Sequence, residues 1–193
     1  MRTKRAKTHG TRRAYTYREL LTLLPCCAEA QQQRLQQQLR LAPKPAFVGD
    51  AEVPENLNAI SYGTLDDLRA AASADDPVAA CVRILLGMDE AAVYEANCVE
   101  VFGFVNFVRE ELERINGLFA KVRVNYSQEE VSAGVHELDF GSFGVMDWYA
   151  RRMGITNQND VRQVAWVRIY ACMKNDTALC NFERRLQKQY IKK

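Results

Sequence analysis

Both ends of this 193-residue chain lack acid. Residues 1–18 hold seven Lys/Arg and residues 184–193 hold five, so all 24 Asp/Glu fall between 19 and 183, against 14 Lys/Arg there. The formal charge of +2 thus conceals a body near −10 and termini summing to +12. Such a body repels phosphate, whereas the termini attract it or fold back onto the body. Histidine is scarce, with only His9 and His136, and none of the six cysteines (Cys26, Cys27, Cys81, Cys98, Cys172, Cys180) forms a C-x-x-C pair. That spacing suits neither a disulfide scaffold nor a zinc site, so the cysteines read as buried free thiols in a reducing compartment. No run approaches the ~18 apolar residues of a membrane span. "ELLTLLPCCA" is short for a signal-peptide core and is broken by Glu19 and Pro25, while the Arg-rich, acid-free start keeps a transit-peptide reading open.

Catalytic signatures are missing too. There is no Gly-rich phosphate loop, no G-x-S-x-G and no H-E-x-x-H. His136 beside Glu137 and Asp139 is the one His-acid cluster, and neither Cys98 nor Ser142 stands at a spacing that makes it a partner nucleophile. The chain reads as a non-enzyme that needs no cofactor and no metal.

What is present is helical pattern. The expected architecture is mainly α, one helical domain of about six to eight helices behind a disordered basic tail over 1–15. N-terminal helices occupy 16–42: Thr16 caps "YRELLTLL", Pro25 closes it, and a glutamine-rich polar helix follows with a sparse apolar stripe of Cys27, Leu35, Leu39 and Leu41. Three prolines and a glycine make 43–58 a linker or extended segment. The helical core domain spans 59–193. In it "AISYG" enters extended, Thr64 caps "LDDLRAAAS", and "VAACVRILLG" is nearly all apolar. The longest helix runs from about Val99 to Val122, with an apolar stripe through Phe104, Val108, Leu112 and Phe119. A short strand is expected around Val122–Tyr126. Helices then follow over "VMDWYARRMG", stopped by Gly154, over "NDVRQVAWVRIYACMK" from Asn157 or Asn159, and from Asp176 or Thr177 onward.

"ARRMGITNQNDVRQV" (150–164) resembles a helix-turn-helix, because Ala150 is followed four places on by Gly154. The apolar positions then expected fall on Asp160 and Gln163, and Val161 and Val164 each come one place late. One residue is ~100° of helix rotation, so the second helix presents the wrong face unless the turn lengthens. On this alternative reading a helix-turn-helix-like element at 147–170 and the basic tails meet nucleic acid through Arg2, Lys4, Arg5, Arg12, Arg13, Arg151, Arg152 and Arg162.

Three segments in order carry a family resemblance: "YRELLTLLP", "LNAISYGTLDDLRAA" before an apolar helix, and "VFGFVNFVREELERI". With the closing "FGVMDWYARRMGITNQNDVRQVAWVRIYACMKNDTALCNFERRLQKQ", they resemble tail assembly chaperone-like proteins of bacteriophages and prophages over roughly residues 15–190. The glutamine-rich helix and the basic start depart from that pattern. The resemblance implies a non-enzymatic factor in the cytoplasm of a bacterial host that holds an apolar helical partner, such as a tape-measure protein, soluble until the tail polymerises. Candidate contacts are Phe104, Val108, Leu112 and Phe119 on the long helix and the late aromatics Trp148, Trp166 and Tyr170, all of which serve equally well as private core. A structural virion part or other helical interaction protein is the remaining alternative.

Overall fold

Most helices begin where a short polar side chain can accept the free N–H groups of the first turn. The computed structural model describes residues 14–191, with side chains through 190. Thr16 opens α1 (Tyr17–Leu23) in a capping box with Glu19, and a 3₁₀ turn, Leu24–Cys26, with Pro25 at its centre ends it. The polar α2 (Glu29–Arg40) follows. A small antiparallel hairpin, β1 (Phe47–Val48) with β2 (Ala51–Glu52), turns at Gly49. Next come α3 (Tyr62–Ala71), α4 (Pro77–Leu86), α5 (Glu90–Glu95) and the long α6 (Cys98–Ala120), capped by Ser61, Asp76, Asp89 and Asn97 in turn. Then α7 (Gln128–Ser132), α8 (Gly141–Met153) and α9 (Trp166–Ile191) complete a mainly α fold.

The core gathers the apolar stripes of α3, α4 and α6 with Tyr149 of α8 and the first turn of α9. Tyr62, Leu65, Val82, Phe104, Ile115 and Trp166 are all buried in it. At one edge Asp76 does more than cap α4. Its carboxylate accepts from the Tyr17 hydroxyl (2.9 Å) and the Tyr94 hydroxyl (3.1 Å), whose rings stack at 5.6 Å, and so pins α1 to α4 and α5. Burial, with Asp76 beside it, pushes the Tyr17 hydroxyl well above the usual tyrosine range.

Several sequence expectations need correcting. Ser61, not Thr64, caps α3, because Ser61 Oγ accepts from the Thr64 amide and helical geometry starts three residues sooner. The 43–58 segment is extended, yet it is packed rather than a free connection. Val48 and Leu57 are fully buried, the Trp166 indole donates to the Leu57 carbonyl at 2.6 Å, and Glu111 accepts from the Leu57 amide. Residues 122–126 form no ladder: the Asn181 side chain accepts from the Asn125 amide and donates to the Arg123 carbonyl, taking a neighbouring strand's place.

The helix expected from Asn157 or Asn159 is instead a 3₁₀ segment, Gln158–Gln163, followed by an extended pair. Tyr62 N–H donates to the Val164 carbonyl and Trp166 N–H to the Ile60 carbonyl, so "AISYG" bridges this stretch and delays α9 until Trp166. From there α9 runs unbroken through "NDT", where Asp176 pairs with Arg152 of α8 instead of opening a new helix. In the element at 147–170 the second helix is thus α9 itself, which starts only at Trp166, well after α8 ends at Met153. The basic tail expected over 1–15 lies outside the described residues except for Ala14 and Tyr15. Among the described residues no helix is long and apolar enough to cross a membrane.

Candidate partner-binding groove

The long-helix candidates face inward. Phe104 is fully buried and Val108 nearly so, while Leu112 and Phe119 are partly buried against the core. Phe119 packs on Trp166 (ring centroids 6.1 Å) and edge-on to Tyr170 (5.5 Å), so these three hold α6 to α9. Trp148 is partly covered and borders a shallow cleft with Met173, Asp176 and Cys180. Phe104, Val108 and Trp166 are thus core residues that no partner reaches in the folded chain.

The candidate nucleic-acid contacts divide in two. Arg2, Lys4, Arg5, Arg12 and Arg13 lie outside the described residues. Arg151 pairs with Asp147 one turn back, Arg152 donates two bonds to Asp176, and Arg162 reaches Asp67 (2.6 Å) and Asp66 (3.5 Å). All three described guanidiniums thus meet carboxylates of the body. Exposed His136 rests edge-on to Tyr126. Among the described residues no group of three His, Cys, Asp or Glu is placed to hold a metal.

An apolar surface opens elsewhere, between α1, α2 and the start of α6. Leu20, Leu39 and Cys98 form a small cluster of their own with Phe102 beside them, separate from the main core. This cluster is the floor of a groove of about 490 Å³. Its walls are Tyr15, Leu35, Leu41 and Val99, and Ala42 and Pro43 close one end. Leu41 is 82% exposed, Tyr15 60% and Val99 48%, a costly arrangement for apolar side chains unless something covers them.

Local sequence explains why α2 sits there. Its C-terminus is held by Asn106 of α6, whose amide donates to the carbonyls of Leu39 (2.8 Å) and Ala42 (3.3 Å). Gly103, one turn earlier on α6, leaves room for the Pro43 carbonyl to lie against the helix. With so few apolar residues, α2 contributes a narrow stripe that reaches α6 through Leu39 and leaves Leu35 and Leu41 on the groove walls. Burial raises the Cys98 thiol above its ordinary value, so it remains a neutral, apolar part of the floor.

Sequence reasoning missed this groove as a site. Its signal was the sparse leucine stripe of a glutamine-rich helix, three leucines that such a helix cannot bury by itself. Compared with family models, with curated proteins and with solved structures, the chain matches none.

Proposed function

We propose that this chain is a non-enzymatic protein-binding factor of phage tail assembly, acting in the bacterial cytoplasm, that keeps an apolar helical partner of the tape-measure kind soluble. The observation that carries the reading is the open apolar groove between α1, α2 and α6, with Leu41, Tyr15 and Val99 uncovered on its walls. A groove of this kind accepts the apolar face of an amphipathic helix, whose anchors recur every three or four residues. The resemblance of "YRELLTLLP", "LNAISYGTLDDLRAA" and "VFGFVNFVREELERI" to tail assembly chaperone-like proteins supplies the biological setting, and the first of these segments contributes the groove residue Leu20.

The test is a pull-down of the tagged full chain from a phage-producing lysate, with nuclease added, beside Leu41→Glu and Val99→Glu variants. The expected result is one long, helix-rich protein that survives nuclease and is lost with either variant. Loss of every partner on nuclease treatment would turn the reading toward nucleic acid. Equal capture by the groove variants would detach function from this groove.

A further inference from the structure

Three cations converge where the end of α6 meets α9, on a body otherwise rich in acid. Between 19 and 183 Asp and Glu outnumber Lys and Arg by 24 to 14, yet the cleft here is lined by Lys121, Arg123 and Lys174 and by no carboxylate. Its volume is about 370 Å³, and it shares no residue with the apolar groove. Lys121 and Arg123 belong to the segment leaving α6, and Lys174 to the third turn of α9. All three are exposed, and none forms an ion pair with a described residue. Arg123 donates its Nε–H to the Ala120 carbonyl (2.7 Å), which leaves both terminal nitrogens without a partner among the described residues.

The carboxylates on the surrounding elements are turned away or engaged. Asp176 and Glu183 lie about half a turn round α9 from Lys174, and Asp176 is held by Arg152. Glu113, the last acid of α6, precedes Lys121 by more than two turns. On α7, Glu130 is held by Arg184 and Glu129 by the Ser127 hydroxyl. The cleft is also fixed in shape. Asn181 accepts from the Asn125 amide and donates to the Arg123 carbonyl, which fastens the cationic segment against α9. The Tyr170 ring is set by Phe119 (centroids 5.5 Å) and Trp166 (6.3 Å), and with Val122 and Ala178 it gives the cleft an apolar part. The hydroxyls of Tyr170 and Thr177, both lining residues, form no hydrogen bond with a described residue.

We infer that this cleft binds a small phosphate anion, the di- or triphosphate group of a nucleotide or of an inorganic polyphosphate. A carboxylate is flat and offers two oxygens, whereas a phosphate presents three acceptor oxygens and more charge, so it meets cations on both elements at once. Arg123 supplies a planar fork, and the two lysines supply compact point charges. Like charges gathered without a counter-ion repel, and an anion between them removes that cost. The apolar surface of Val122, Ala178 and Tyr170 favours a nucleotide over the inorganic anion, because it covers one face of a base or sugar. This site is independent of the apolar groove and of the protein-binding reading.

The experiment is isothermal titration of the full chain with ADP, adenosine, inorganic pyrophosphate and a single-stranded oligonucleotide. Three double variants accompany it: Lys121→Glu/Lys174→Glu, the conservative Lys121→Arg/Lys174→Arg, and Arg34→Glu/Arg40→Glu as an equal charge change at exposed positions outside the cleft. Circular dichroism checks that each folds, and Lys174→Gln replaces the first if it does not. ADP and pyrophosphate are expected to bind and adenosine is not. Lys121→Glu/Lys174→Glu should weaken both by at least about tenfold, the arginine control by less than about twofold, and the conservative pair should retain binding. ADP tighter than pyrophosphate identifies the nucleotide as the ligand, and equal affinities identify the inorganic anion. Equal losses in the two glutamate pairs reduce the effect to net charge and overturn the proposal. So does adenosine binding as tightly as ADP, and so does an oligonucleotide that binds where neither small phosphate does. Failure of all four probes overturns the site outright.

Discussion

At the residue scale the fold depends on a few polar atoms in apolar surroundings. The Trp166 indole N–H reaches the Leu57 carbonyl at 2.6 Å inside the core, and with the Trp166 amide on the Ile60 carbonyl it joins α9 to the segment before α3. Phenylalanine at 166 keeps most of the apolar contact with Phe119 and Tyr170 but leaves the Leu57 carbonyl buried without its donor. An abandoned buried acceptor costs about 1–3 kcal/mol. Trp166→Phe is therefore expected to lower the urea midpoint by a corresponding amount. Trp148→Phe, at a partly covered ring beside a shallow cleft, should change it much less. Equal losses would mean that ring size, not the hydrogen bond, sets the contribution of Trp166.

At the element scale two glycines of α6 make opposite demands. A Cβ on Gly103 would overlap the Pro43 carbonyl oxygen and crowd Pro45, whereas a Cβ on Gly117 would meet nothing. Gly103→Ala is expected to displace the 43–45 strap and loosen α2, at a cost of about 1–3 kcal/mol for an overpacked contact. Gly117→Ala should stabilise by up to ~1 kcal/mol, because it removes only the entropic penalty of glycine within a helix. Thermal melts of the two variants check both signs.

The same elements show what local sequence can reveal. Thr16 as the cap of α1, and Gly154 as the stop of α8, were legible because a cap is chosen by its nearest neighbours. The delayed start of α9 was not, since the groups that hold 164–166 extended belong to Ile60 and Tyr62, about a hundred positions earlier. The groove was half legible. Leu35, Leu39 and Leu41 stood out, but only tertiary packing brings Tyr15 and Val99 beside them.

At the scale of the whole molecule stability is unevenly spread, and α9 shows it along its own length. Its first turns bury Trp166 and Ile169 completely or nearly so, while Leu179, Phe182, Leu186 and Tyr190 farther along remain exposed. What holds this second half is largely polar: Asn181 on the 123–125 backbone, and Arg184 donating to both oxygens of Glu130 (2.6 and 2.9 Å). Segments with few buried apolar contacts open below the global unfolding energy. Amide exchange is thus expected to be faster over 179–190 than over 166–172, and faster still in Glu130→Gln at pH 7. Hydrogen bonding from Arg184 and from the Ser127 amide holds the Glu130 carboxyl down at about 2. A carboxyl depressed in the folded state stabilises above its unfolded pKa of about 4.3, and that contribution is lost as pH falls through the folded value. The protection that Glu130 gives over Gln should then be full at pH 7 and fade as the labelling pH drops from about 4 toward 2. Exchange that is uniform along α9, or a Glu130→Gln difference independent of pH, would show that the second half is held by something other than this ion pair.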